Sequence, residues 1–170
     1  MTTQVSAPRQ QRLRLLNLGA ALLHAVQAVV VVVLATDFAL PVTASYLAGP
    51  PGTAPQEPTV LFDLPTGLAV AAFLLLSSLA HLIVITVWWR GYVGDLSRRI
   101  NRARWVEYSL SSSLMMVVIA QLVGIADITA LVAIAGVNAS MILFGWLQEK
   151  YEEPGGGGGL PFWFGCLAGA

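Results

Sequence analysis

Four apolar runs, each about as long as a lipid bilayer is thick, constrain what this chain can fold into more than any other feature. A helix rises about 1.5 Å per residue, so about 20 apolar residues cross the hydrocarbon. The runs are roughly Leu13–Ala35, Pro65–Trp89, Ile100–Val123 and Ile128–Leu147. A fifth apolar run begins at Leu160 and extends to Ala170, too short to cross by itself. Of the 170 residues, 56% are hydrophobic and 11% charged. A soluble domain carries about 25% charged residues, so too little polar surface is available to cover a water-facing globule. The sequence therefore predicts an all-α membrane protein, a transmembrane helix bundle with the lipid bilayer as its surroundings. The first run exceeds the usual apolar segment of a signal peptide, and Asp37-Phe38-Ala39-Leu40-Pro41 follows it instead of a small-residue cleavage site. It reads as a retained span.

The basic residues fix an expected orientation. Arg9, Arg12 and Arg14 precede or open the first span, and Lys150 follows the fourth. Arg90, Arg98, Arg99, Arg102 and Arg104 lie between the second and third spans or in the first turn of the third. With four spans, all of these fall on one side, while the other holds only Asp37, Glu57, Asp63 and Asp127. The positive-inside rule then predicts a multi-pass protein of the cell membrane with a cytoplasmic N-terminus. Trp88, Trp89, Tyr92, Trp105, Tyr108, Trp146 and Tyr151 gather near the same interface, where amphipathic rings settle.

The outer loop, residues 36–64, carries Pro41, Pro50, Pro51, Pro55 and Pro58, which exclude a helix. Val42–Leu47 and Thr59–Phe62 read as short extended pieces able to pair as a ribbon. A cap over the bundle, a contact with a partner subunit and a passive connector remain open for this loop. Pro65 suits the first turn of the second span, and Asp127 suits the N-cap of the fourth. Residues 152–159 end in five glycines and read as a flexible inner loop.

Ionisable groups are costly within a bilayer and mark function when they occur. His24, His81 and Glu107 lie about eleven, eight and seven residues from the inner ends of their spans, roughly 10–17 Å deep. If they face inward, they form one buried polar cluster from three helices. Arg104, three residues before Glu107, shares its helix face and offers it a cation. Ser111 follows Glu107 by one turn, and Ser77 precedes His81 by one turn. Ser109, Ser112, Ser113, Gln27, Gln121 and Asn138 add further polar groups, and Gly136 with Ser140 forms a small-xxx-small packing pair.

Several functions are not supported. Zero net charge gives no electrostatic case for nucleic acid. The two histidines and the glutamate form no helix-spaced ligand pair, so no metal is expected. No nucleophile–base motif is visible, and the glycine run has the wrong context for phosphate, so no enzyme is expected. Cys166 is the only cysteine and reads as an apolar filler.

The run Arg104-Trp105-Val106-Glu107-Tyr108-Ser109-Leu110-Ser111-Ser112-Ser113 resembles the third-helix signature of the heliorhodopsins. The likeness continues in Asp37–Pro41, in Tyr46-Leu47 with Gly49-Pro50-Pro51-Gly52, in Gly124–Asp127, in Gly136–Tyr151 and in Pro161–Cys166. It covers nearly the whole chain. The resemblance implies a seven-helix rhodopsin-like fold with inverted topology, its N-terminus inside. It implies a light-sensing photoreceptor binding all-trans retinal through a Schiff base to a lysine on the seventh helix. Glu107 would be the Schiff-base counterion. His24, His81, Ser77, Arg104 and Ser111 would form a polar network, and Tyr108, Met115, Asn138 and Ile142 would lie near the retinal. The only lysine, Lys150, follows the fourth span and does not match the buried attachment lysine. The chain is thus expected to be an N-terminal part of the family pattern, helices 1–4 and the start of helix 5. A homodimer is expected from the resemblance, and a signalling partner is left unidentified. Light-gated or light-driven ion or proton transport and a non-photoactive membrane scaffold are the alternative readings.

Overall fold

The computed structural model describes residues 4–47, 49–54, 56–153 and 155–170. Pro55 and Pro154, in two connecting segments, lie outside the described residues. The elements run α1 (Ala7–Leu34), β1 (Ala39–Ala44), β2 (Thr59–Pro65), α2 (Thr66–Ile85), α3 (Trp89–Ser97), α4 (Arg102–Leu122), α5 (Ile128–Tyr151) and α6 (Leu160–Gly169). Four of them, α1, α2, α4 and α5, are long and apolar enough to cross a membrane. The molecule is a membrane helix bundle with one small two-stranded ribbon.

The helices pack in chain order as an open arc: α1 on α2, α2 on α4, α4 on α5 and α5 on α6. Small residues set the closest approaches, as expected where lipid supplies no hydrophobic drive. Ala21 and Ala28 of α1 and Ala71 of α2 are buried, and the Ser78 hydroxyl donates to the Ala21 carbonyl at 2.9 Å. At Gly145 of α5, an added Cβ would stand 2.3 Å from the Trp105 ring, so only glycine lets α4 and α5 meet there.

Three helices depart from the expected boundaries at the arginine-rich end. The first begins at Ala7 rather than Leu13, so Arg9, Arg12 and Arg14 are helical. The second was expected to reach Trp89 but stops at Ile85. Thr86 turns its hydroxyl back to the Leu82 carbonyl at 2.6 Å, and the Trp88 N–H reaches the Ile83 carbonyl at 2.9 Å, one residue further back than an α-helix allows. Such back-bonding competes with the helical ladder and ends it. The chain then starts the separate nine-residue helix α3, where a simple connection was expected. The fourth span runs four residues longer than expected, to Tyr151.

The far end closes as the sequence suggests. The Asp127 side chain caps α5 by accepting from the N–H groups of Thr129 at 2.9 Å and Ala130 at 3.3 Å. The Thr129 hydroxyl also donates to it, and these donors hold the Asp127 carboxyl below the usual carboxylate range. Gly124, at φ 96°, ends α4 in a Schellman turn, with Gly124 N–H on the Gln121 carbonyl and Ile125 N–H on that of Ala120. β1 and β2 pair antiparallel from Ala39↔Pro65 to Ala44↔Thr59, with a register shift between Val42 and Thr43. The ribbon is longer than its expected second strand and starts earlier than its expected first. It lies over the α4–α5 turn. Thr43 N–H donates to the Ala126 carbonyl at 2.8 Å, and Val42 packs with Ala120 and Leu131. The outer loop therefore caps this end of the bundle.

Candidate functional site

Glu107 lies in the second turn of α4, on the side facing α2. The hydroxyl of Ser77, from α2, donates to its Oε1, and Ser111 donates to the same oxygen at 2.7 Å. The sequence placed both serines within one turn of an ionisable group, and the helix period delivers them to one point. Among the described residues, Oε2 of Glu107 accepts no protein hydrogen bond. Glu107 is half-buried and lines a cavity of about 590 Å³ between α2 and α4. The apolar wall includes Leu76, Leu79, Ile83, Val106 and Leu110, while Asn17, His81 and Arg104 add polar groups.

The histidines form the second half of the cluster. The His24 and His81 rings stack with centroids 6.0 Å apart and planes 9° from parallel. His81 Nδ1 lies 2.8 Å from Asn17 Oδ1, and His24 Nδ1 lies 3.2 Å from Gln27 Oε1. The three ionisable groups thus make two neighbouring groups of contacts. α2 joins them, with Ser77 on Glu107 and His81, one turn on, against His24. Asn17 was not singled out from the sequence, although it stands seven residues before His24 and so on the same helix face.

Arg104 does not serve Glu107. Its guanidinium pairs with Glu149 of α5 and lies 4.2 Å over the Trp105 ring. The expected pairing of Arg104 with Glu107 is not formed, although both line the same space. An arginine on the first turn of α4 reaches outward more easily than inward, and Glu149 offers it a carboxylate at the helix end. Glu149 also accepts from Trp105 Nε1 at 2.7 Å and from the Asn101 N–H at 2.8 Å, so it clasps the start of α4 to the end of α5. Among the described residues, no cation lies within salt-bridge distance of Glu107.

The four remaining candidates separate. Tyr108 lines the cavity beside Glu107 and is about half exposed. Asn138 bridges α5 to α4 by donating to Ser112 Oγ at 2.8 Å and Ser113 Oγ at 3.0 Å. Met115 is exposed on α4 and Ile142 half-buried on α5, and neither lines the cavity that Glu107 faces.

A second polar centre was missed from the sequence. Asp95 of α3 is 1% exposed and is the most deeply buried charged residue described. Arg98 donates to Oδ1 at 2.8 Å. Arg102 donates Nε to Oδ2 at 2.7 Å and a second N–H to Oδ1 at 2.9 Å. The i, i+3 spacing of Asp95 and Arg98 was a usable signal, but only the presence of α3 gives it a face.

Glu107 thus has one carboxylate oxygen held by two serines and the other without a protein donor among the described residues, beside a surface that is mostly apolar. That combination suits a cation attached to an apolar body. The sequence model of the heliorhodopsin family matches residues 13–170. No curated protein matches the chain.

Proposed function

The chain belongs to the heliorhodopsin family, and from that premise we propose that it forms part of a light-sensing pigment in which Glu107 is the counterion of retinal. The observation that carries this is the geometry of Glu107: one carboxylate oxygen is fixed by Ser77 and Ser111, and the other takes no protein donor. Such a group needs a positive charge, because an uncompensated carboxylate within a membrane is costly. All-trans retinal, bound to a lysine as a protonated Schiff base, supplies an apolar chain that absorbs visible light and ends in a positive charge. Leucine, isoleucine and valine side chains next to the carboxylate offer an apolar surface to such a group.

This chain's residues would act in three ways. Ser77 and Ser111 hold the carboxylate in one rotamer, so the distance to the cation stays fixed. Glu107 stabilises that cation and thereby influences the absorbed colour. His81 and Asn17, on the same cavity, offer a protonatable ring and an amide through which charge shifts at Glu107 can be felt. Lys150, the sole lysine, closes α5 with its ammonium 4.7 Å over the Tyr151 ring, far along the chain from Glu107. On this reading Lys150 is not the attachment lysine. A cytoplasmic N-terminus belongs to the same reading, supported by the gathering of all nine basic residues at one end.

The test is assembly. The chain is co-expressed with a second chain carrying the remaining spans of a heliorhodopsin, and all-trans retinal is added. A visible absorption band that requires both chains is expected. Correctly inserted, associated chains that give no band would overturn the proposal.

A further inference from the structure

The helix α3 and the first turns of α1 carry a feature that light absorption does not use. Arg9, Arg12, Arg14, Arg90 and Arg99 are exposed and have no carboxylate partner among the described residues, whereas Arg98, Arg102 and Arg104 are all paired. Arg14 lies 4.5 Å over the Trp89 ring, which brings the start of α1 to the start of α3. α3 connects two helices long and apolar enough to cross a membrane and opens with Trp88 and Trp89, residues that favour the boundary between hydrocarbon and water. Its inward side is fixed by buried Tyr92 and Asp95, and Arg90 stands exposed on its other side.

Arg99 adds a second, independent observation. It sits at φ 62°, in the left-handed region, and closes α3 as a Schellman turn. Its N–H bonds the Leu96 carbonyl, and the Ile100 N–H bonds that of Asp95. Glycine is the usual residue at this position, and the homologous turn after α4 uses it, at Gly124. A side chain held there against the steric preference of the backbone points to a use for that side chain.

We propose that α3 and the first turns of α1 form a binding surface for the headgroup of an anionic phospholipid, with Arg90, Arg99 and Arg14 as its principal contacts. Guanidinium groups pair with phosphate through two parallel hydrogen bonds. Clustered arginines beside a membrane-crossing helix attract anionic lipid, and the tryptophans favour a ligand that is itself anchored in the bilayer. This reading is independent of retinal.

Native mass spectrometry of the detergent-solubilised chain tests it, with phosphatidylglycerol or phosphatidylcholine added at equal concentration. Retention of phosphatidylglycerol several-fold above phosphatidylcholine is expected, and the difference should narrow at high salt. Arg90→Gln and Arg99→Gly should each reduce that retention. Arg99→Gly should at the same time leave thermal stability unchanged or raised, because glycine relieves the backbone, and this separates lost binding from lost folding. Equal retention of the two lipids, or unchanged retention in both variants, would overturn the proposal. Displacement of the lipid by inorganic phosphate at matched concentration would also overturn it, since the site would then be one for a soluble anion.

Discussion

At the scale of single residues, the site depends on which partner wins a charged side chain. Glu107 and Ser111 are one turn apart, and their bond is legible from helical spacing; Ser77 is one turn from His81 yet bonds Glu107 on the next helix, which spacing within α2 does not show. Arg104 has the right spacing to serve Glu107 as well, yet it goes to Glu149, 45 residues away in sequence. Spacing within one helix does not reveal a competitor on the next. A tie between helices should show in stability. Ser77→Ala removes the only hydroxyl that α2 sends to Glu107, and should cost about 0.5–2 kcal/mol. Ser109→Ala removes a bond that stays within α4, from Ser109 to the Val106 carbonyl, and should cost less. Thermal unfolding in detergent compares the two variants, and an equal loss would deny Ser77 its role between the helices.

At the scale of elements, the spans were readable because apolar length and caps are local properties. Asp127 and Gly124 mark the α4–α5 turn in the sequence and perform there as their chemistry requires. The exception is α3. Trp89, Tyr92, Val93 and Leu96 recur at helical spacing, but the segment is short and its two glycines, Gly91 and Gly94, weaken a helix, so the local signal is easily read as a connection. It forms because Asp95 gathers Arg98 and Arg102, and because Gly91 leaves room for the Trp88 indole, which an added Cβ would meet at 2.1 Å. Asp95→Asn keeps the shape and removes the charge, and should cost about 1.5–3 kcal/mol, the range for hydrogen bonds to charged groups. The loss is local. Limited trypsin digestion should cut after Arg98 and Arg99 several-fold faster in Asp95→Asn than in the parent. Unchanged cleavage would mean that Asp95 does not hold α3.

At the scale of the whole molecule, the two ends differ in kind. One end is tied by hydrogen bonds and packing, with the ribbon laid over the α4–α5 turn through Thr43 and Val42. The other is tied by charge, through Asp95 and Glu149 with their arginines and the aromatic rings beneath them. Glu107 lies between these ends, on a cavity bordered by α2 and α4. The arc of helices leaves large apolar side chains such as Leu22, Val29, Leu79 and Leu110 exposed, as lipid or further helices permit. The membrane bundle was legible from composition and run length, whereas the split of the polar cluster into a histidine half and a glutamate half needed three-dimensional placement. The central claim is that Glu107 compensates a positive charge on a chromophore. The most direct measurement is the visible spectrum of the assembled two-chain pigment with Glu107→Gln in this chain. With the carboxylate gone, the cation loses its partner, and the band should shift to longer wavelength or vanish with loss of the proton. A band that stays at its original position and height would contradict the account.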